Sequence, residues 1–226
     1  MMRILMILTS QATMGDTSTP TGVWFEELTT PYYRFVDAGA TVELASVKGG
    51  AVPLDPHSTS EQARPASVSR FMADTHAMQQ LQQSLSIQSL DISGYDAIFL
   101  PGGHGTMWDL PASRELTELL NQAWANQKIL AAVCHGPAGL VNLQDTTGQP
   151  LVSGRKVAGF SNSEEAAAGL TSVMPFLLET RLRELGAHYE SGPDFQPFAV
   201  RDGRLITGQN PASSEPVADL VLQALR

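Results

Sequence analysis

A thiol followed directly by an imidazole, Cys134-His135, stands inside the stretch ILAAVCHGPAGL at 129–140. A thiol can serve as a nucleophile, and a histidine beside it can exchange its proton. The setting suits that chemistry. Ala132-Val133-Cys134-His135-Gly136 follows the small-x-nucleophile-x-small pattern of a nucleophile elbow, with Ala in place of the first Gly. Small neighbours are needed because the strand must turn sharply into a helix without side chains colliding. The turn leaves one side chain above the sheet edge, beside free backbone N–H groups. Cys134 is the only cysteine in the chain, so it is either inert core or a reactive centre. A core cysteine is the commoner case on composition alone. It needs neither a neighbouring histidine nor a strand-to-helix break, and on those two features we read Cys134 as a nucleophile.

A free thiol has a pKa of ~8.5 and needs help to react at neutral pH. Three aids are visible in the sequence. The helix expected to open at Pro137 would present its partial positive end to the sulfur and favour the thiolate. His135 is placed to take the proton. Gly102, Gly103 and Gly105 let a second loop bring backbone N–H groups close to a developing oxyanion, although a GGHG run is also an ordinary tight turn. His104 in that loop either lines the pocket or hydrogen-bonds within the loop. Trp24 and Phe195 wall the pocket or belong to the core. His57, His76 and His188 are scattered singly without metal-ligand spacing, so no metal site is expected.

Elements that would carry these residues can be read from apolar patterning. The runs at 3–9 (RILMILT), 41–46 (TVELAS), 95–100 (YDAIFL), 128–133 and 156–160 read as strands. Short strands are expected at 187–189, 198–200 and 205–207, the last two joined by an Asp-Gly turn. Apolar residues cluster on one side of a helix over 22–37, closed by Gly39. Further helices are expected at 111–126 with Pro at its start, from 163 to 168, at 175–185 and at 211–225, with one or two more over 67–85. The proline- and glycine-bearing stretch 47–66 reads as a long ordered loop or flap. Strands alternating with helices predict a flavodoxin-like, doubly wound α/β fold with a mostly parallel sheet. We expect a single domain over 1–226 with an insertion around 47–93. In such sheets ligands bind at the carboxyl ends of the strands, where the expected strand ends at Thr9, Leu100, Val133 and Phe160 all lead into residues of chemical interest.

Composition narrows the classes. With 42% hydrophobic and 16% charged residues the chain can bury a sizeable core. Its formal charge of −9 argues against nucleic-acid binding, which needs a basic footprint. No apolar run approaches the ~18 residues of a membrane span. The opening residues 1–9 read as a first strand rather than a signal peptide, because no small-residue cleavage site follows. That, with the single cysteine, places the expected location in the cytoplasm.

The ordered set of motifs resembles the ThiJ/PfpI superfamily, the flavodoxin-like group related to class I glutamine amidotransferases. The residues carrying this are Gly22-Val23-Trp24 through Glu27 to Pro31, Gly102-Gly103-His104-Gly105-Thr106, and Ala131-Ala132-Val133-Cys134-His135-Gly136-Pro137. Gly159-Phe160 with Glu165, Asp202-Gly203-Arg204-Leu205, and Thr207-Gly208 with Asn210-Pro211-Ala212-Ser213 complete it. Within the superfamily the match is to the branch of heat-shock chaperones that are also glutathione-independent glyoxalases. The resemblance implies that Cys134 is the nucleophile, His135 its partner, and Glu165 the acid that orients the histidine. It also implies that Glu27 donates a hydrogen bond to the thiolate, with the amides of Gly103 and His135 binding the oxyanion. Helical periodicity does not separate Glu26 from Glu27, or Glu164 from Glu165; register with the family selects Glu27 and Glu165. A homodimer is implied as well.

The expected activity is cofactor-free conversion of methylglyoxal, or a similar small 2-oxoaldehyde, to the 2-hydroxy acid through a Cys134 hemithioacetal. One rival keeps the same residues but cleaves acyl or glycated groups, as a peptidase, amidase or deglycase. Another is a redox-sensing stress chaperone that holds unfolded client proteins. Glutamine amidotransfer is disfavoured, because those enzymes place the catalytic histidine far downstream and His188-Tyr189-Glu190 stands at the wrong register.

Overall fold

The computed structural model describes residues 2–61 and 64–226. The longest apolar runs become the sheet's inner strands. β1 (Arg3–Leu8) pairs in parallel with β2 (Thr41–Ser46) on one side and β4 (Ala97–Leu100) on the other. β5 (Ile129–Val133) follows β4, and β3 (Leu85–Ser86) closes the edge beside β2. β9 (Leu205–Gly208) joins β5 in parallel, and β8 (Ala199–Asp202) pairs antiparallel with β9 through the expected Asp202-Gly203 hairpin. The seven-stranded order is β3-β2-β1-β4-β5-β9-β8. Four residues of β4 and all five of β5 are buried, as expected of parallel strands covered on both faces.

From β1 the chain winds outward to β2 and β3, then returns to β4 on the other side of β1 and winds outward again. Right-handed crossovers in opposite directions put the intervening helices on opposite faces. Accordingly α1 (Phe25–Asp37) packs with the closing α8 (Ser214–Ala224), while α4 (Thr106–Ala112) and α5 (Arg114–Ala125) pack with each other. The reversal between β1 and β4 is the topological switch point, where a doubly wound sheet leaves a crevice.

Two insertions decorate this frame. The first holds α2 (Ala66–Ala73) and α3 (Thr75–Gln82), with Phe71 fully buried and edge-on to Phe25, Tyr32 and Tyr33. The stretch before them, expected as a flap, is stitched to the body: the Val23 N–H donates to the Pro53 carbonyl at 2.9 Å, and the Asp55 N–H to the Val23 carbonyl at 2.9 Å. Gln62 and Ala63 of that stretch lie outside the described residues. The second insertion carries β6 (Lys156–Val157), α6 (Asn162–Ala167), α7 (Leu178–Glu184) and β7 (His188–Tyr189).

Three sequence expectations change. The strand at 156–160 shortens to β6 and forms a separate two-stranded sheet with β7. Beyond it, the Ala158 N–H donates to the Thr207 hydroxyl and the Phe160 N–H to the Cys134 carbonyl, so the chain peels off to serve the elbow. The helix expected at 111–126 is two helices. Pro111 sits inside α4, and Ser113 caps α5 by accepting from the Leu116 N–H at 3.1 Å. The segment after the elbow, Gly136–Leu140, is a short 3-10 turn rather than an α-helix.

Candidate active site

Four chain segments converge at the carboxyl ends of β4 and β5. The nucleophile candidate sits on the bend itself. Cys134 adopts φ 60°, a left-handed conformation that costs a non-glycine residue on the order of 1 kcal/mol and persists only where the surroundings enforce it. Here they do: the Cys134 N–H donates to the Gly208 carbonyl at 3.0 Å and its carbonyl accepts from the Phe160 N–H at 2.8 Å. The small flanking residue is also required. A Cβ on Gly136 would stand 2.2 Å from the Leu100 carbonyl oxygen, where no atom fits.

His135 is buried and brackets the site. Its Nδ1 lies 3.3 Å from the Cys134 Sγ, and its Nε2 lies 2.6 Å from Glu165 Oε2. Glu165 projects from α6, whose first turn is fixed by a capping box between Ser161 and Glu164. Its second oxygen, Oε1, takes His104 Nε2 at 2.9 Å. One carboxylate therefore holds two imidazoles, whose ring centres are 4.2 Å apart. Burial alone would push the Glu165 carboxyl up, but the hydrogen bonds from His104 and His135 outweigh it and hold it at about 2. Burial, with His104 alongside, holds the His135 imidazole down at about 4. At neutral pH the carboxylate is ionised and only accepts, which places the His135 proton on Nε2. Nδ1, facing the sulfur, is left with its lone pair free.

Glu27 enters from the first turn of α1 and is fully buried. Its Oε2 accepts the Gly102 N–H at 2.7 Å. Oε1 has no hydrogen-bond partner among the described residues, and the polar group beside this carboxyl is the Cys134 thiol. Burial pushes the Glu27 carboxyl well up, which favours its protonated form. An unpartnered buried oxygen asks for an explanation; a carboxylic O–H waiting for charge to develop on sulfur supplies one.

The activation inferred from sequence needs correction here. A helix end was expected to lower the thiol's pKa, but the 3-10 turn after Cys134 has only five residues and little dipole to offer. Burial pushes the Cys134 thiol well up instead. The resting pair is a neutral thiol facing a neutral imidazole. Gly102 also changes role, since its N–H is taken by Glu27 and is not available to an oxyanion. The amides of Gly103 and His135 take part in no backbone or side-chain hydrogen bond among the described residues, and both residues line the cavity above the sulfur.

That cavity has a volume of about 280 Å³, walled by Trp24, Phe160, Ala168, Phe195 and Pro211 above the polar floor of Glu27, His104, Cys134 and His135. A larger depression of about 350 Å³ around Arg34 and Arg70 carries no nucleophile. The expected residues Glu27, Gly102, Gly103, His104, Cys134, His135 and Glu165 thus meet at one place. Glu26 is not part of it, being half-buried on the neighbouring face of α1. Glu164 also turns inward, but toward the Phe195 loop and not toward His135. The link from His104 to Glu165 was missed, because 61 residues separate them and no pattern connects the two. His104, His135 and Glu165 place ligand atoms within 4.8 Å of one another, yet these atoms already satisfy each other, and a cation would have to displace two hydrogen bonds.

Acidification supplies a test of the buried imidazole. A histidine held at about 4 when folded and ~6.5 when unfolded binds more protons in the unfolded chain between those values. Stability is therefore expected to fall as pH drops from 6.5 to 4, by an amount on the order of 3 kcal/mol for this group. Glu165, held low by its partners, adds a loss in the same direction between 4.5 and 2. Urea unfolding of His135→Asn against the parent should show a flatter dependence over pH 6.5 to 4; parallel curves would mean that His135 is not buried neutral.

A doubly wound α/β sheet with a cysteine at its strand-to-helix elbow, an adjacent histidine and a carboxylate behind it defines a class of cysteine-centred, flavodoxin-like proteins. The chain belongs to the DJ-1/PfpI family, whose model matches residues 19–224. It is 34% identical to the glutathione-independent glyoxalase hsp3101 of Schizosaccharomyces pombe, an alignment covering 90% of this chain and 87% of that one. Among solved structures, the rapid encystment protein of 24 kDa from Francisella tularensis superposes with a TM-score of 0.95 at 38% identity, covering 100% of both chains. Glyoxalase III from Candida albicans superposes with a TM-score of 0.90 at 30% identity, covering 99% of this chain and 97% of that one.

Proposed function

We propose that the protein is a glutathione-independent glyoxalase, converting methylglyoxal or a related 2-oxoaldehyde to the 2-hydroxy acid through a covalent bond to Cys134. The observation that carries this reading is the line from Sγ through the His135 ring to Glu165, at 3.3 and 2.6 Å, beneath a cavity of small-molecule size. As the sulfur attacks the aldehyde carbon, His135 Nδ1 takes the thiol proton and Glu165 stabilises the imidazolium that forms. The amides of Gly103 and His135 receive the aldehyde oxygen. Glu27, unpartnered at Oε1 and favoured by burial in its protonated form, donates to charge developing on sulfur. The proton on the former aldehyde carbon then passes to the neighbouring carbonyl carbon through an enediol, with His135 and Glu27 as carriers. The aldehyde carbon is thereby oxidised to a thioester and the ketone carbon reduced to a carbinol, so no external electron acceptor is needed. Water releases the hydroxy acid and restores the thiol.

The reading is tested by incubating the protein with methylglyoxal in the absence of glutathione and following lactate by proton NMR. Lactate at a catalytic rate supports it. No lactate, or faster turnover of amide or glycated amino-acid substrates, would move the assignment to the hydrolase alternative, which uses the same thiol and imidazole. A homodimer and holding of unfolded clients remain part of this reading on family grounds. Among the described residues the large apolar side chains that are exposed, Met72, Leu85, Val173 and Phe195, stand on separate segments, which supports the small-molecule reading over client binding.

A further inference from the structure

Phe195 is a large apolar side chain left 49% exposed, on a backbone with φ 58°. Burial does not account for it, and a bulky residue in the left-handed region is held there by its surroundings. The restraint is specific. Its N–H donates to Glu164 Oε1 at 2.7 Å, and that glutamate is fully buried. Glu164 Oε1 also accepts from Asn210 Nδ2 at 2.8 Å, and Asn210 Nδ2 donates in turn to the Gln196 carbonyl at 2.8 Å. Asp194 takes the Ser163 hydroxyl at 2.6 Å, and Gln209 accepts the Gly192 N–H at 2.8 Å. A short loop is thus pinned on both sides of Phe195 while the ring itself stays partly in solvent. The ring meets the cavity wall, edge-on to Phe160 with centres 6.3 Å apart, and Phe160 lies against His135 at 4.3 Å.

The cavity this ring helps to close is larger than a three-carbon dicarbonyl requires. A water takes ~30 Å³ of liquid volume, and methylglyoxal has five heavy atoms against a cavity of about 280 Å³. The surplus lies among Trp24, Phe160, Ala168, Phe195 and Pro211, and no lysine or arginine lines it among the described residues. We propose that Phe195, positioned by Glu164, makes the site select neutral 2-oxoaldehydes that carry an aromatic or branched apolar substituent, with the dicarbonyl on Cys134 and the substituent between Phe195 and Trp24. This rests on the glyoxalase reading and narrows its substrate class. The bonds made and broken are those of the methylglyoxal reaction: phenylglyoxal and one water give mandelate, the aldehyde carbon being oxidised and the ketone carbon reduced.

The test compares kcat/KM for phenylglyoxal and methylglyoxal in the parent, Phe195→Ala, Phe195→Tyr and Glu164→Gln proteins. The parent should favour phenylglyoxal by about tenfold or more, the discrimination that one well-filled apolar subsite provides. Phe195→Ala should lower that ratio about tenfold, Phe195→Tyr should preserve it, and Glu164→Gln should lower it mainly through KM for phenylglyoxal. A parent that prefers methylglyoxal, or a ratio unmoved by Phe195→Ala, would overturn the proposal. A second measurement separates its failure from that of the function. Cys134 is the only cysteine, so its alkylation by benzyl bromide and by iodoacetamide can be followed by intact mass. A benzyl preference that Phe195→Ala removes supports the apolar subsite even in a protein that turns over neither aldehyde; no such preference counts against it.

Discussion

Cys134→Ala is expected to lower kcat for lactate formation by at least about a thousandfold while shifting Tm by no more than a few degrees. The proposed reaction runs through a carbon–sulfur bond, and the chain contains no second thiol to form it. Loss of a covalent nucleophile leaves only binding and oxyanion stabilisation, which preserve a small remainder of catalysis. Stability should survive because the bend is held by main-chain bonds to Gly208 and Phe160, not by the sulfur. Removing one buried atom of that size costs about 1 kcal/mol. Lactate production and thermal unfolding measured on the same preparation check both halves. Turnover within tenfold of the parent would remove the covalent mechanism.

The second large effect is expected at the carboxylate. Glu165→Gln should reduce kcat by roughly a thousandfold, because an amide cannot accept from both imidazoles as the carboxylate does. With its NH₂ group toward His135, the variant would draw the imidazole proton onto Nδ1. An N–H would then face the sulfur and could take no proton from it. The loss should persist from pH 6 to 9, because tautomer and not ionisation is at fault. Alkylation of Cys134 by iodoacetamide should slow in parallel. A fall of less than tenfold would show that His135 acts without Glu165, and His104→Gln should then be indistinguishable from the parent.

Both predictions rest on residues whose types and order could be read before any coordinates. Strand–turn spacing revealed the elbow because a tight bend tolerates few side chains, and Gly136 against the Leu100 carbonyl shows how little room it has. The inner strands were legible for the same reason: burial on both faces demands near-continuous apolar residues. Glu27 and Glu165 were legible only through family register, since a buried acid and a solvated one look alike in a helical pattern. Ionisation of the thiol was misread. It depends on the enclosure of Cys134 and on the length of the next helix, which Pro137-Ala138-Gly139 left ambiguous. Glu164 and the pinned Phe195 loop were invisible as a unit, because their contacts join segments 31 residues apart and no local rule links them. Pro111 misled in the other direction: it reads as a helix start, but the break falls two residues later, where Ser113 offers its hydroxyl.

That no lysine or arginine lines the cavity among the described residues bears on how a turnover ends. The aldehyde that enters carries no charge, whereas the acid that forms is an anion. It is born near Glu164 and Glu165, whose field reaches the sulfur, on a chain with a formal charge of −9. A surface potential of one sign repels what shares that sign. Product is thus expelled by the same walls that admitted its precursor, and lactate should inhibit weakly even when it accumulates. Traffic through the mouth of the site runs one way because the reaction itself changes which side of the electrostatic balance the small molecule is on.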